Sequence, residues 1–95
     1  MIKEKHQLDD HIRKFVLERI EKNHKLPKGA AIESFNYIDS GYIDSMGIVK
    51  FIIEIETEFD MNIQDSEIDS DEFRKIGGLI SLIKKKILAK KADSD

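Results

Sequence analysis

The sequence predicts an all-α protein, a small helical bundle of three main helices plus one short helix. Three observations carry that prediction. Apolar residues recur at helical spacing in three separate stretches. No stretch alternates apolar and polar residues as a half-buried strand does. The chain has 95 residues, 40% hydrophobic and 37% charged, which suits one modest, helix-rich core rather than a disordered chain.

Leu8, Ile12, Phe15, Val16 and Ile20 place a first helix over about 5–22, ended by Asn23, Pro27 and Gly29. No period holds from His24 to Asp44. Ile32, Phe35, Ile38 and Ile43 are dotted there among turn formers and are expected to pin a long loop to the core. A loop of about twenty residues is unusual in a compact domain and tends to be functional. Asp44-Ser45 then opens a second helix, which runs to about Phe59 and breaks at Asp60 and Asn62. Glu67 to Lys75 reads as a short acidic helical turn capped by Asp69 or Ser70. After Gly77-Gly78 a last helix carries Leu79, Ile80, Ile83 and Ile87 on one face, with Ile76 just ahead of it. One domain is expected over 1–95, with a core from about 5 to 88 and a flexible tail from about 90 to 95.

The composition excludes several classes. There is no cysteine, so disulfide frameworks and thiolate metal sites are ruled out. No apolar run is long enough to span a bilayer. The opening MIKEKHQLDD lacks the apolar core of a secretory signal, so a cytoplasmic location is expected. The net charge of −3 hides an asymmetry. Residues 44–72 hold ten acids against the single Lys50, whereas residues 73–91 hold seven bases and no acid. The acidic middle would repel nucleic acid and suits partners that present a basic patch. The basic segment reads as a solvated helix end, where the helix dipole favours cations.

The sequence says YIDS twice, at Tyr37–Ser40 and Tyr42–Ser45. Gly41 follows the first copy, which places Ser40 in a turn. Fifteen residues of helical pattern follow the second, which places Ser45 at a helix N-terminus. Free N–H groups and the positive end of the dipole converge there and suit a phosphate ester. A simple helix cap accounts for the same residues. Along this helix the apolar residues spread over roughly 220° of arc, wider than a surface helix needs. Met46, Val49 and Ile53 form one edge of that arc and continue in line to Glu56. Either the helix is central and buried on most sides, or an apolar docking stripe starts beside Ser45.

These residues carry a resemblance. Gly41-Tyr42-Ile43-Asp44-Ser45-Met46-Gly47, continuing through IVKFIIEIETEFDMNI to EFRKIGGLISLI, is similar to the acyl carrier proteins and their peptidyl and aminoacyl carrier relatives. The likeness covers about Phe35 to Ile87. Ser45 matches the family's serine that accepts 4′-phosphopantetheine from coenzyme A, and Asp44 matches its recognition neighbour. Met46, Val49, Ile53 and Glu56 match positions that meet partner enzymes. The resemblance thus implies a non-enzymatic carrier of acyl or aminoacyl thioesters. Its partners would be a phosphopantetheinyl transferase, an adenylating ligase and a downstream transferase or synthase. Carriers of fatty acid synthesis usually have one residue fewer before the Asp-Ser, an acid where Gly47 stands, and acids where Lys50 and Thr57 stand. The Gly-x-x-Asp-Ser-Met-Gly spelling is closer to free-standing carriers loaded by ligases, including the D-alanyl carrier proteins.

Other classes fit less well. A serine hydrolase needs a base beside its nucleophile, and His6, His11 and His24 are all remote in sequence from Ser45. A calcium loop over Asp60–Asp71 would have Asp65 where the turn wants glycine, and Asp71 where a bidentate Glu is usual. His6 and His11 are five apart, off the same-face spacing of a helix. The rival from another class is an arm-less helical interaction module using the same second-helix face. A monomer is expected, since no self-pairing heptad is present.

Overall fold

The computed structural model describes residues 2–22, 25–26 and 30–93, with side chains described for 7–22, 25–26 and 32–90. The described residues form α1 (Ile2–Ile20), a 3-10 turn (Ala30–Ser34), α2 (Ser45–Phe59), α3 (Asp65–Ile68), α4 (Asp71–Arg74) and α5 (Ile76–Asp93). The fold is all-α, with three long helices, as the periodicity requires. Asn23, Pro27 and Gly29, expected at the end of α1, lie outside the described residues, as do Ser94 and Asp95 of the expected tail.

Two expectations need correction. The acidic turn over 67–75 is two short helices rather than one, because Ser70 interrupts it. Its hydroxyl donates to the Glu67 carbonyl at 2.6 Å and accepts the Phe73 N–H at 3.4 Å, capping α4. Gly77 and Gly78 do not precede the last helix; they lie inside its first turn. A Cβ on Gly78 would stand 2.7 Å from Glu72 Cα and closer still to the Glu72 carbonyl. The pair therefore lets α5 start directly against α4, at a cost in helix propensity of about 1 kcal/mol per glycine.

The core draws on every long element. Ile12, Val16 and Ile20 of α1, Phe51 and Ile55 of α2, Phe73, and Ile76, Leu79 and Ile83 of α5 are buried. The long loop is pinned as its apolar pattern predicts, with Ile32, Phe35, Ile38 and Ile43 half-buried against that cluster. Tyr37 goes further and is fully buried, its hydroxyl donating to the Phe73 carbonyl. Beside it an isolated antiparallel bridge joins Asn36 to Lys75. Its backbone bonds run from Tyr37 N to Arg74 O at 3.2 Å and from Ile76 N to Phe35 O at 3.1 Å. These contacts tie the loop to α4–α5.

Three of the lysines of α5 are engaged across the fold. Lys84 pairs with Asp9 at 3.0 Å, Lys86 with Glu67 at 2.7 Å, and Lys90 with Asp60 at 3.0 Å. Arg13 of α1 pairs with Glu33 of the 3-10 turn. No helix among the described residues is long and apolar enough to cross a membrane.

Candidate functional site

The two YIDS copies take different structures. In the first, Tyr37 is core and Asp39 pairs with Arg74 at 3.1 Å. Ser40 closes a turn whose N–H groups at Ile38 and Asp39 are held by the Asn36 side chain. Gly41 then takes φ +78, a left-handed backbone that turns the chain outward. In the second copy Tyr42 is half-buried and donates its hydroxyl to the Lys25 carbonyl at 2.8 Å. Asp44 is the N-cap of α2, with extended backbone and its carboxylate on the Gly47 N–H at 2.7 Å. Ser45 is the first helical residue and is exposed.

Asp44 thus does the capping, and the Ser45 hydroxyl has no protein partner among the described residues. The Ile48 N–H reaches the Asp44 carbonyl at 2.9 Å, the first regular bond of the helix. The N–H groups of Ser45 and Met46 are among the orphan donors that open every helix. An exposed hydroxyl at this place can accept a phosphoryl group without leaving the surface, and the helix dipole favours the resulting anion.

The apolar arc of α2 splits into two faces. Phe51 and Ile55 are buried, with Ile48, Ile52 and Phe59 half-buried beside them. Met46, Val49 and Ile53 are 84%, 59% and 56% exposed, so the helix is not buried on most sides. An apolar stripe therefore runs from beside Ser45 along the outer surface. Glu56 lies at its end, half-buried, with one carboxylate oxygen accepting the Ile63 N–H at 2.8 Å. Its side chain thus also fastens the chain leaving α2.

A feature the sequence reading missed lies on the polar side of α2. A cleft of about 410 Å³ opens between the end of α1, residues 41–44 and α2. Arg19, Lys22, Tyr42, Asp44, Gly47 and Lys50 are among its walls. Arg19 is held by Glu54 at 3.2 Å and lies over the Phe15 ring. Arg19 and Lys22 are more than twenty residues from α2, so no local period could have found them.

The remaining candidates are structural. His11 Nε2 lies 2.8 Å from Glu58 Oε2 with its ring against Phe59, far in sequence from Ser45. The His6 side chain and His24 lie outside the described residues. Asp60 pairs with Lys90, and Asp65 and Asp71 open short helices. No cluster of three potential metal ligands occurs among the described residues.

The chain is similar to a D-alanyl carrier protein of Listeria welshimeri, 36% identical over 58 residues that cover 61% of this chain and 70% of the relative. A D-alanyl carrier protein of Listeria innocua matches equally. An acyl carrier protein of Lactobacillus acidophilus is 29% identical over 69 residues, covering 73% of this chain and 84% of that one. No protein-family model and no solved structure matches.

Proposed function

The chain belongs to the acyl carrier protein family, and on that premise we propose that it carries an acyl or aminoacyl group as a thioester on a 4′-phosphopantetheine arm attached to Ser45. It is a carrier and not an enzyme. The observation that carries the reading is the exposed hydroxyl of Ser45 at the start of α2, without a partner among the described residues, beside a carboxylate already occupied in capping.

The residues fit the group. Attachment joins Ser45 Oγ to the β-phosphorus of coenzyme A while the phosphoanhydride bond breaks, adenosine 3′,5′-bisphosphate leaves, and the hydroxyl proton passes to a base on the transferase. When bound, the arm supplies a terminal thiol that holds the cargo as a thioester. Asp44 fixes the helix start and so the direction in which Ser45 projects, and it offers a charge for the transferase to recognise. Met46, Val49 and Ile53 supply a small apolar patch, with Glu56 at its edge, for a phosphopantetheinyl transferase, an adenylating ligase and a downstream transferase or synthase to meet in turn. Tethering raises the effective concentration of cargo at each of these enzymes. A small apolar contact in acidic surroundings gives fast encounter and ready release. The D-alanyl carriers among the relatives make an aminoacyl group the leading cargo. The protein acts as a monomer in the cytoplasm.

Intact-protein mass spectrometry after incubation with coenzyme A and a promiscuous phosphopantetheinyl transferase tests this. Wild type and Ser40→Ala gain one phosphopantetheine mass, and Ser45→Ala gains none. No gain in any folded variant would leave an arm-less interaction module that uses the outer face of α2.

A further inference from the structure

The cleft on the polar side of α2 is lined by three bases, Arg19, Lys22 and Lys50, against two acids, Asp44 and Glu54, a net positive lining beside the most acidic stretch of the chain. Lys50 is the only base among residues 44–72, and it shares the cleft with Arg19 of α1 and Lys22 of the turn that follows α1. Glu54 occupies Arg19. Lys22 and Lys50 have no ion-pair partner among the described residues. Apolar wall is present as well, from Tyr42, Ile43 and the edge of Phe51. Its volume of about 410 Å³ falls in the range of small-molecule sites, about 300–1,000 Å³.

The cleft also adjoins the attachment residue, since Asp44 and Gly47, on either side of Ser45, both line it. Gly47 sits in the first turn of a helix, where glycine costs about 1 kcal/mol relative to alanine. A Cβ there would stand 3.1 Å from Asp44 Oδ1 and 3.2 Å from Ile43 Cγ2, pressing on two of the walls.

We infer that this cleft is a resting site for the phosphopantetheine arm, on the side of α2 opposite to the outer apolar stripe. The inference rests on Ser45 being the attachment residue. Lys50 lies five residues along α2 from Ser45, a rise of about 7.5 Å and a turn of about 140° around the axis, so the arm enters the cleft by curving past Asp44 and Gly47. The field of the two lysines acts at that range, weakened over the Debye length of about 8 Å at physiological salt. A phosphodiester on Ser45 is therefore attracted toward Lys50 and Lys22, and the apolar wall accepts the methyl and methylene groups beyond it. Between visits to enzymes the arm lies in the cleft, and docking on the outer stripe leaves the cleft free to hold or release it.

The test compares ¹⁵N-labelled protein before and after loading with phosphopantetheine, with the mass gain verified. The expected result is a set of amide shift changes at Arg19, Lys22, Lys50 and Glu54 that exceed those at Val49 and Ile53. They are lost in Lys22→Glu/Lys50→Glu, and in the unchanged protein at 1 M salt. The arm's thiol is alkylated several-fold faster under both of those conditions. A verified mass gain with shifts confined to residues 44–47, or directed to Val49 and Ile53, overturns the resting site and leaves the carrier reading intact. A failure to gain mass overturns both.

Discussion

The Asp44 carboxylate accepts the Gly47 N–H at 2.7 Å, and a methyl group on Gly47 would stand 3.1 Å from that same oxygen. Cap and glycine are thus one device: the short side chain closes tightly because nothing at the third helical position pushes it away. Asp44→Ala is expected to cost about 1 kcal/mol, a fall in Tm of roughly 4–8 °C for a domain of this size. Gly47→Ala should raise Tm more in the Asp44→Ala background than in the unchanged protein, because the gain in helix propensity is then free of the crowded cap. Equal effects in both backgrounds, read in a double-mutant cycle, would show the two residues to be independent.

Gly78→Ala is expected to be severe. Its Cβ would meet the Glu72 backbone, which has no rotamer to move. Overpacking of this kind costs about 1–3 kcal/mol, with more where backbone must shift. Denaturant unfolding should show a lower midpoint at an unchanged slope.

Tyr37 gives a test at high pH. Burial pushes its phenol well above the ordinary tyrosine range. The unfolded phenol ionises at about 10, so its contribution to stability is intact below that pH and is lost as pH rises toward the folded value. Its ultraviolet ionisation signal should therefore appear together with unfolding and not before it. Tyr37→Phe leaves the Phe73 carbonyl without its donor and should cost about 1–3 kcal/mol.

Glu67 gives the counterpart at low pH. Partial burial would raise its carboxyl, but the Gln64 N–H at 2.8 Å and the Lys86 ammonium at 2.7 Å outweigh it and hold the group below its usual value. Its contribution is present above the unfolded value of about 4.3 and is lost as pH falls through the lowered folded one. Lys86→Gln should return the Glu67 side-chain titration, followed by NMR, toward the ordinary value. An unchanged titration would mean that the Gln64 N–H alone holds it down.

The outer stripe separates docking from stability. Val49 and Ile53 are exposed, so Val49→Glu and Ile53→Glu should change stability by no more than about 0.5 kcal/mol. Phosphopantetheine transfer to Ser45 should slow, by analogy with truncation of central interface contacts worth about 1 kcal/mol or more. Matching transfer rates in wild type and both variants would remove this face from the transferase interface.

The sequence by itself determined the three long helices, the start of α2 at Asp44-Ser45 and the assignment of Ser40 to a turn, because these follow from local period, capping chemistry and the glycine at position 41. It also placed Met46, Val49 and Ile53 in one line. Whether that line faces solvent or core was decided by the tertiary structure, since an arc of apolar residues does not say how many neighbours cover it. Tertiary contacts also sent Tyr37 inward, where the first YIDS meets Phe73 across thirty-six residues of chain, and placed Gly77-Gly78 inside α5, against Glu33 and Glu72. The cleft that brings Lys22, just past α1, to Lys50 of α2 belongs to the same class. Local rules act over one or two turns, and only packing joins residues that lie twenty or more apart.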